Sequence, residues 1–217
     1  MKLYRFRYSP YARKVQMVLD LLGATYEVVE VSYGERNELA ALTGGYINVP
    51  VLVLADGAVV VESRAICERL VAADPARRLV PAGLDGAVWA CCDFLDGPVE
   101  DVLFRIASPA VRDAWPTAWE RALYTFIKER KFGAGCVDLW RGQQEQLFTR
   151  ARDLLAPTVR TLEVHPFVFG ATVSLADAGL YGLYAMLETA GHDLDRIDPR
   201  LAPHARRIEA AAARART

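Results

Sequence analysis

The sequence predicts an α/β domain followed by an all-α domain. Three observations predict it. Short β-rich runs alternate with helical apolar spacing as far as residue 75. A polar stretch rich in turn residues, Asp74-Pro75 through Pro81 and Gly83, then reads as a linker. Beyond Leu84 the apolar residues recur at helical spacing and nothing reads as a strand. The boundaries expected are 1–75 for the first domain, 76–85 for the linker and 86–217 for the helical domain. A chain of 217 residues can bury a substantial core in two such units.

The first domain is read element by element. Residues 2–7 form a strand packed through Leu3, Tyr4 and Phe6. Ser9 is a good helix N-cap, and Pro10 suits the first helical position because its missing N–H would be unpaired there. Val15, Val18, Leu19 and Leu22 continue at helical spacing, and Gly23 closes the helix. Residues 26–33 supply a second strand with Val28, Val29 and Val31. Glu38 to Leu42 reads as a short helix before Gly44-Gly45. Val51 to Leu54 and Val59 to Val61 flank Asp56-Gly57, a strong hairpin signal with a two-residue loop. Pro50 cannot donate to a ladder, so it opens its strand and is compatible with a cis bond. Ser63 reads as the N-cap of a helix whose stripe is Ile66, Leu70 and Val71. Glu62 and Ser63 then stand at a helix N-terminus, whose N–H groups and dipole favour a carboxylate.

The order β-α-β-α-β-β-α, with a proline opening the third strand, resembles the thioredoxin fold. Ser9-Pro10-Tyr11-Ala12 stands where that fold carries its redox motif, with serine and alanine in place of both cysteines. Dithiol exchange needs an attacking and a resolving sulfur, and neither is present. Val49-Pro50 before a hairpin, followed by Glu62-Ser63 at a helix start, is similar to the N-terminal domain of cytosolic glutathione transferases. The pattern runs from Met1 to about Val71.

The second domain agrees with that resemblance, because the family appends an all-helical domain. Residues 86–107 read as a long helix kinked at Pro98. Trp115-Pro116 opens another helix through about Lys131, and a Gly-containing break spans Phe132 to Gly142. A further helix covers 143–163, and a last one runs near Ala202 to Arg214. Arg112 to Gly142 is longer than the family's usual helix connection. Ser174 and Asp177 have the spacing of a capping box, and the same box recurs in glutathione transferases with a folding role.

The resemblance implies a serine-type, bacterial-like glutathione transferase with a thioredoxin-like N-terminal domain, cytoplasmic and homodimeric, active in detoxification. It implies glutathione as co-substrate, no metal, and a small hydrophobic electrophile as second substrate. Val49 would pair its backbone with the cysteinyl unit, Ser63 would hold the γ-glutamyl carboxylate, and Glu62 would face the α-amino group. Ser9 would sit beside the sulfur, with Tyr4, Tyr8 and Tyr11 as rival activating hydroxyls. Tyr8 and Tyr11 are candidate walls of the electrophile pocket. The chain departs from the family at Thr43-Gly44-Gly45-Tyr46-Ile47-Asn48, where an Asn-Pro-x-Gly segment is usual. Asn48 is left as the donor to the glycyl carboxylate.

Composition narrows the alternatives. A net charge of −1 offers no electrostatic footprint for nucleic acid. No apolar run approaches the ~18 residues of a membrane span. Arg5 and Arg7 arrive too early for a signal peptide. Cys67, Cys91, Cys92 and Cys136 form no C-x-x-C pair, and with the three separated histidines they suggest reduced thiols and no metal site. Two other readings stand beside the transferase: a glutathione-dependent isomerase or dehalogenase on the same scaffold, and a non-catalytic protein-interaction module.

Overall fold

A computed structural model of the chain describes residues 1–216. Its elements are β1 (Lys2–Arg5), α1 (Pro10–Leu21), β2 (Glu27–Glu30), α2 (Asn37–Thr43), β3 (Val51–Val53), β4 (Val59–Val61) and α3 (Ser63–Ala72). After an irregular stretch come α4 (Asp85–Phe94), a π-helical turn (Leu95–Val99), α5 (Glu100–Ala114), α6 (Ala118–Phe132), α7 (Cys136–Gly142), α8 (Gln144–Val164), α9 (Leu175–Thr189) and α10 (Leu201–Ala215). The sheet order is β2-β1-β3-β4, with β1 parallel to β2 and the other pairs antiparallel. A thioredoxin-like sheet thus precedes a helical remainder. No helix among the described residues is long and apolar enough to cross a membrane.

Several elements differ from the sequence reading, each for a local reason. The first two strands are four residues each, because pairing stops where β1 turns: the Ser9 N–H bonds the Phe6 carbonyl. The hairpin loop is Ala55-Asp56-Gly57 rather than two residues. The Leu54 N–H bonds the Ala58 carbonyl, and Gly57 takes φ +87°, open to glycine without a Cβ clash. Ser63 is the first helical residue of α3, not its cap. Glu62 occupies the cap position with φ +67°, and its carbonyl receives the first helical bond from the Ile66 N–H. Pro98 does not break the long helix. Its missing N–H is absorbed in the π turn, and α4 continues into α5 as far as Ala114. The Gly-containing break holds a helix of its own, α7, started by Gly135 and anchored by Cys136, Val137 and Trp140 against Phe104 and Phe132.

The core is built around α1, which is buried on two sides. Val15, Val18 and Leu19 are sealed from solvent. One side covers the sheet and α3, and the other packs on α9. That packing is close because position 182 is glycine. A Cβ there would lie 2.3 Å from the Pro10 carbonyl oxygen and 2.9 Å from the Lys14 nitrogen. Both are backbone atoms that cannot swing aside.

The Ser174–Asp177 capping box forms as expected. It also carries a partner that spacing did not show. Asp177 accepts from Val168 N at 2.9 Å, Ser174 N at 2.7 Å and Ser174 Oγ at 2.6 Å, and lies 2.8 Å from His204 Nε2 on α10. Tyr184 Oη lies 3.2 Å from His204 Nδ1. All of these side chains are buried, so the network fastens α9 and α10 to the 167–174 loop.

Candidate functional site

A cavity of about 560 Å³ opens where α1, the β3 entry and the start of α3 meet the helical layer. Ser9, Tyr8, Tyr11, Asn48, Val49, Glu62 and Ser63 all line it. Of the site residues expected from the sequence, all but the rival hydroxyl Tyr4 are therefore brought to one place. The three chain segments that carry them lie between positions 8 and 63, so only the fold joins them.

Each residue is placed by backbone geometry. Ser9 is the N-cap of α1: its Oγ accepts from the Ala12 N–H at 3.3 Å, and the residue is nearly buried. The Val49–Pro50 bond is cis, and it presents the Val49 backbone at the cavity edge. No side chain of the described residues caps α3, so its first N–H groups have no side-chain acceptor. Glu62 holds a positive φ, which costs a non-glycine residue ~1–3 kcal/mol and is typically kept where function requires it. Its carboxylate accepts from Tyr46 Oη at 2.8 Å. Tyr46 is in turn fixed by Thr43 Oγ1, which donates to its carbonyl at 2.6 Å. Burial, then the bond to Glu62, push the Tyr46 hydroxyl up to about 12. The sequence reading missed Tyr46, because a contact from the α2–β3 loop to Glu62 leaves no local signature. Asn48 is exposed on that same loop.

The tyrosines separate clearly. Tyr4 packs under the sheet with Leu39 and Val51 and does not reach the cavity. Tyr8 is built into an aromatic group, stacked on Phe6 at 5.8 Å and edge-on to Trp115 at 5.7 Å. Burial, then Tyr124 and Tyr33, hold its hydroxyl well above the usual range. Tyr11 Oη donates to the Asp96 carbonyl at 3.1 Å in the π turn, and burial raises it too. Trp115 belongs to the aromatic group and Trp140 is buried, while Trp119 is 64% exposed.

The opposite wall comes from the π turn, α5 and α6. It carries Asp96, Glu100, Asp101, Phe104, Lys128, Lys131 and Phe132. It is more charged than aromatic, whereas the resemblance implied a small hydrophobic electrophile as second substrate. Asp96, Glu100 and Phe104 follow at intervals of four, which places them on one helix face. That spacing was visible in the sequence, but nothing local tied it to Ser9. Asp96 is ion-paired with the buried Lys14 of α1, and Asp101 holds Arg105 through two bonds of 3.0 and 2.8 Å. Lys128 Nζ lies 4.9 and 4.8 Å from the ring centres of Phe104 and Tyr124. Burial, then Lys131, bring its ammonium down to about 8.

The cysteines lie outside the cavity lining. Burial pushes Cys67 up to about 11, Cys91 also to about 11, and Cys92 higher still. Thiols so held stay protonated at neutral pH and are poor nucleophiles.

Comparison with known proteins agrees with this geometry. Residues 3–78 match the family model described as glutathione S-transferase, N-terminal domain. Among solved structures, the chain is similar to BphK, a bacterial GST in a ternary complex, at 21% identity and TM-score 0.69, covering 100% of this chain and 98% of that one. It is similar to a glutathione S-transferase of Ceriporiopsis subvermispora in complex with glutathione, at 17% identity and TM-score 0.82, over 97% and 96% of the two chains. It is also similar to glutaredoxin 2 of Salmonella typhimurium in complex with glutathione, at 19% identity and TM-score 0.74, over 98% and 94%. At such identities the likeness establishes the fold over the whole length, and the family model establishes the first third of the chain. Residues 3–78 thus belong to the N-terminal domain of the glutathione S-transferase family, and the chain as a whole has the fold of the glutathione S-transferase structures.

Proposed function

We propose that the protein is a glutathione transferase that adds the glutathione thiolate to an electrophilic small molecule. The observation that carries this reading is the convergence of Ser9, Val49, Glu62 and Ser63 on one cavity. In it, the γ-glutamyl carboxylate meets the uncapped start of α3 and the Ser63 hydroxyl. The α-amino group meets Glu62. The Val49 backbone pairs with the cysteinyl unit, and Asn48 reaches the glycyl carboxylate. Ser9 donates its hydroxyl to the sulfur at the positive end of α1.

Ser9 suits that role better than the tyrosines around it. Tyr4 is outside the cavity, Tyr11 donates to a carbonyl, and the Tyr8 hydroxyl is a weakened acid inside an aromatic group. A thiol near pKa ~8.5 is only a few per cent ionised at neutral pH. Lowering that pKa gains thiolate but loses intrinsic nucleophilicity, so the net gain is severalfold. Most of the rate enhancement must come from holding the electrophile beside the sulfur. The far wall supplies that second subsite, and Tyr8 and Tyr11 stand between the two.

The reading carries with it a cytoplasmic, homodimeric enzyme of two domains, 1–75 and 86–217, joined by 76–85. A glutaredoxin-type reaction is disfavoured because Ser9 and Ala12 replace the sulfurs it needs. Isothermal titration with glutathione at neutral pH tests the site. One-site saturation per subunit is expected, and no heat at millimolar glutathione would overturn the assignment. Product analysis with a haloarene then tests transfer against isomerisation.

A further inference from the structure

The far wall of the cavity holds one carboxyl group that the glutathione site does not use. Glu100 lines the cavity at the first position of α5, directly after the π turn. Its acidic neighbours are committed elsewhere, Asp96 to Lys14 and Asp101 to Arg105. Glu100 is ion-paired with none of the described residues. Its distance from the sulfur site is fixed by a short chain of contacts. Ser9 caps α1, Tyr11 lies in the first turn of that helix, and Tyr11 Oη reaches the Asp96 carbonyl. Glu100 follows Asp96 by one helical turn. The groups that face it are Tyr11 from α1, Asp96 from the π turn, Asp101 from α5, and Tyr124, Lys128 and Lys131 from α6.

The geometry points to Glu100 as the acid that protonates the second substrate, which makes that substrate an oxygen electrophile, either an epoxide or an α,β-unsaturated carbonyl compound. This assignment rests on the transferase reading given above. Burial, reinforced by Asp101 and Asp96 against Tyr11 and Lys131, pushes the carboxyl up to about 7, so a large fraction carries its proton at neutral pH. The step balances without an oxidant or reductant. The glutathione thiolate forms an S–C bond. In an epoxide the C–O bond breaks, and in an enone the C=C π pair shifts to the bond between the α-carbon and the carbonyl carbon while the C=O π pair moves onto oxygen. The resulting alkoxide or enolate takes the proton of Glu100, which is left as carboxylate. Glutathione released one proton to water on ionising, and Glu100 regains one from water. Displacement of halide from a haloarene needs no such proton, so it gains nothing from Glu100.

The test uses the intact protein with glutathione and three probes: styrene oxide, 2-cyclohexen-1-one and 1-chloro-2,4-dinitrobenzene. The quantity read is the ratio of kcat/KM on an oxygen electrophile to kcat/KM on the haloarene, from pH 6 to 8.5. Thiolate supply affects both reactions alike and cancels in the ratio. The expected ratio falls as pH rises through about 7, as the acid form is lost. Glu100→Gln is expected to lower the ratio at neutral pH by at least about tenfold, the low end of what a positioned acid supplies, and to flatten its pH dependence. Glu100→Asp should restore part of both. The pH profile of the unaltered protein needs no variant, so a variant that fails to fold does not shield the assignment. A ratio that is flat with pH, or unmoved by Glu100→Gln, overturns it. Haloarene conjugation without turnover of either oxygen electrophile overturns it while leaving the transferase reading in place. Absence of glutathione binding overturns both.

Discussion

The two walls of the cavity are built by different means. On the N-terminal wall much of the chemistry is backbone, at the start of α3, at Val49 before β3 and at the N-cap of α1, with Ser9, Asn48, Glu62 and Ser63 adding side chains. On the helical wall it is side chains alone: Glu100, Asp101, Lys128 and Lys131 projecting from complete helices. Backbone groups are fixed once the fold forms and cost little further ordering, which suits one invariant peptide ligand. Long ionisable side chains are set by their surroundings, which shift Glu100 up and Lys128 down. On the reading proposed above, the first wall holds a fixed co-substrate, and the second can vary its partner without disturbing the first.

That contrast can be broken from beneath. Asp177 ties α9 to α10 and to the 167–174 loop, remote from both walls. Asp177→Ala leaves Val168 N, Ser174 N and His204 without their acceptor in a buried place, and should cost ~3–5 kcal/mol in urea unfolding. A loss within 1 kcal/mol would show that the network is not holding the scaffold.

Gly182 couples the helical layer to α1 more directly. Gly182→Ala drives a methyl group against the Pro10 carbonyl and the Lys14 nitrogen, so α1 and α9 must separate. A cost of ~1–3 kcal/mol in thermal or urea unfolding is expected. Glutathione affinity should weaken with it, because Pro10 follows Ser9. Lost stability with intact affinity would mean that the N-terminal wall tolerates movement of its support.

Within the N-terminal wall the effects should be smaller and separable. Ser9→Ala removes a hydrogen bond to a charged sulfur, worth ~1.5–3 kcal/mol, so kcat should fall roughly ten- to a hundredfold. The lost cap should cost ~1 kcal/mol of stability, and glutathione affinity by calorimetry should change little. Equal turnover in the variant would hand the role to a tyrosine. Tyr46→Phe frees the Glu62 carboxylate from one neutral donor. It should weaken glutathione binding roughly two- to tenfold, as the worth of such a bond sets. No change would mean that Glu62 is positioned by its backbone alone.

The N-terminal wall was also the legible one. Ser9-Pro10, Val49-Pro50 and Glu62-Ser63 each mark a local event, a cap, a strand entry or a helix start, and local events leave local patterns. Even there the sequence misplaced Ser63 by one position, since a glutamate at φ +67° is not what a cap pattern suggests. The helical wall left periodicity but no motif. Pro98 read as a kink, while the structure absorbs it in a π turn that brings Glu100 to the cavity. Lys128 and Lys131 carry no local mark of a site, and only packing puts them opposite Ser9.

What the sequence determined by itself was the element order of the first domain, the change from alternating to helical architecture, and several of the residues that start or end an element, such as Ser9 and Ser174. These depend on contacts within a turn or two, where side-chain spacing and proline or glycine act directly. What only the tertiary structure decided was which distant residues share a cavity and how that cavity sets their charge. His204 beneath Asp177, Tyr46 against Glu62 and Glu100 facing Tyr11 are contacts between separate elements. Their energies come from burial and partner distance, and neither exists until the chain has closed around α1.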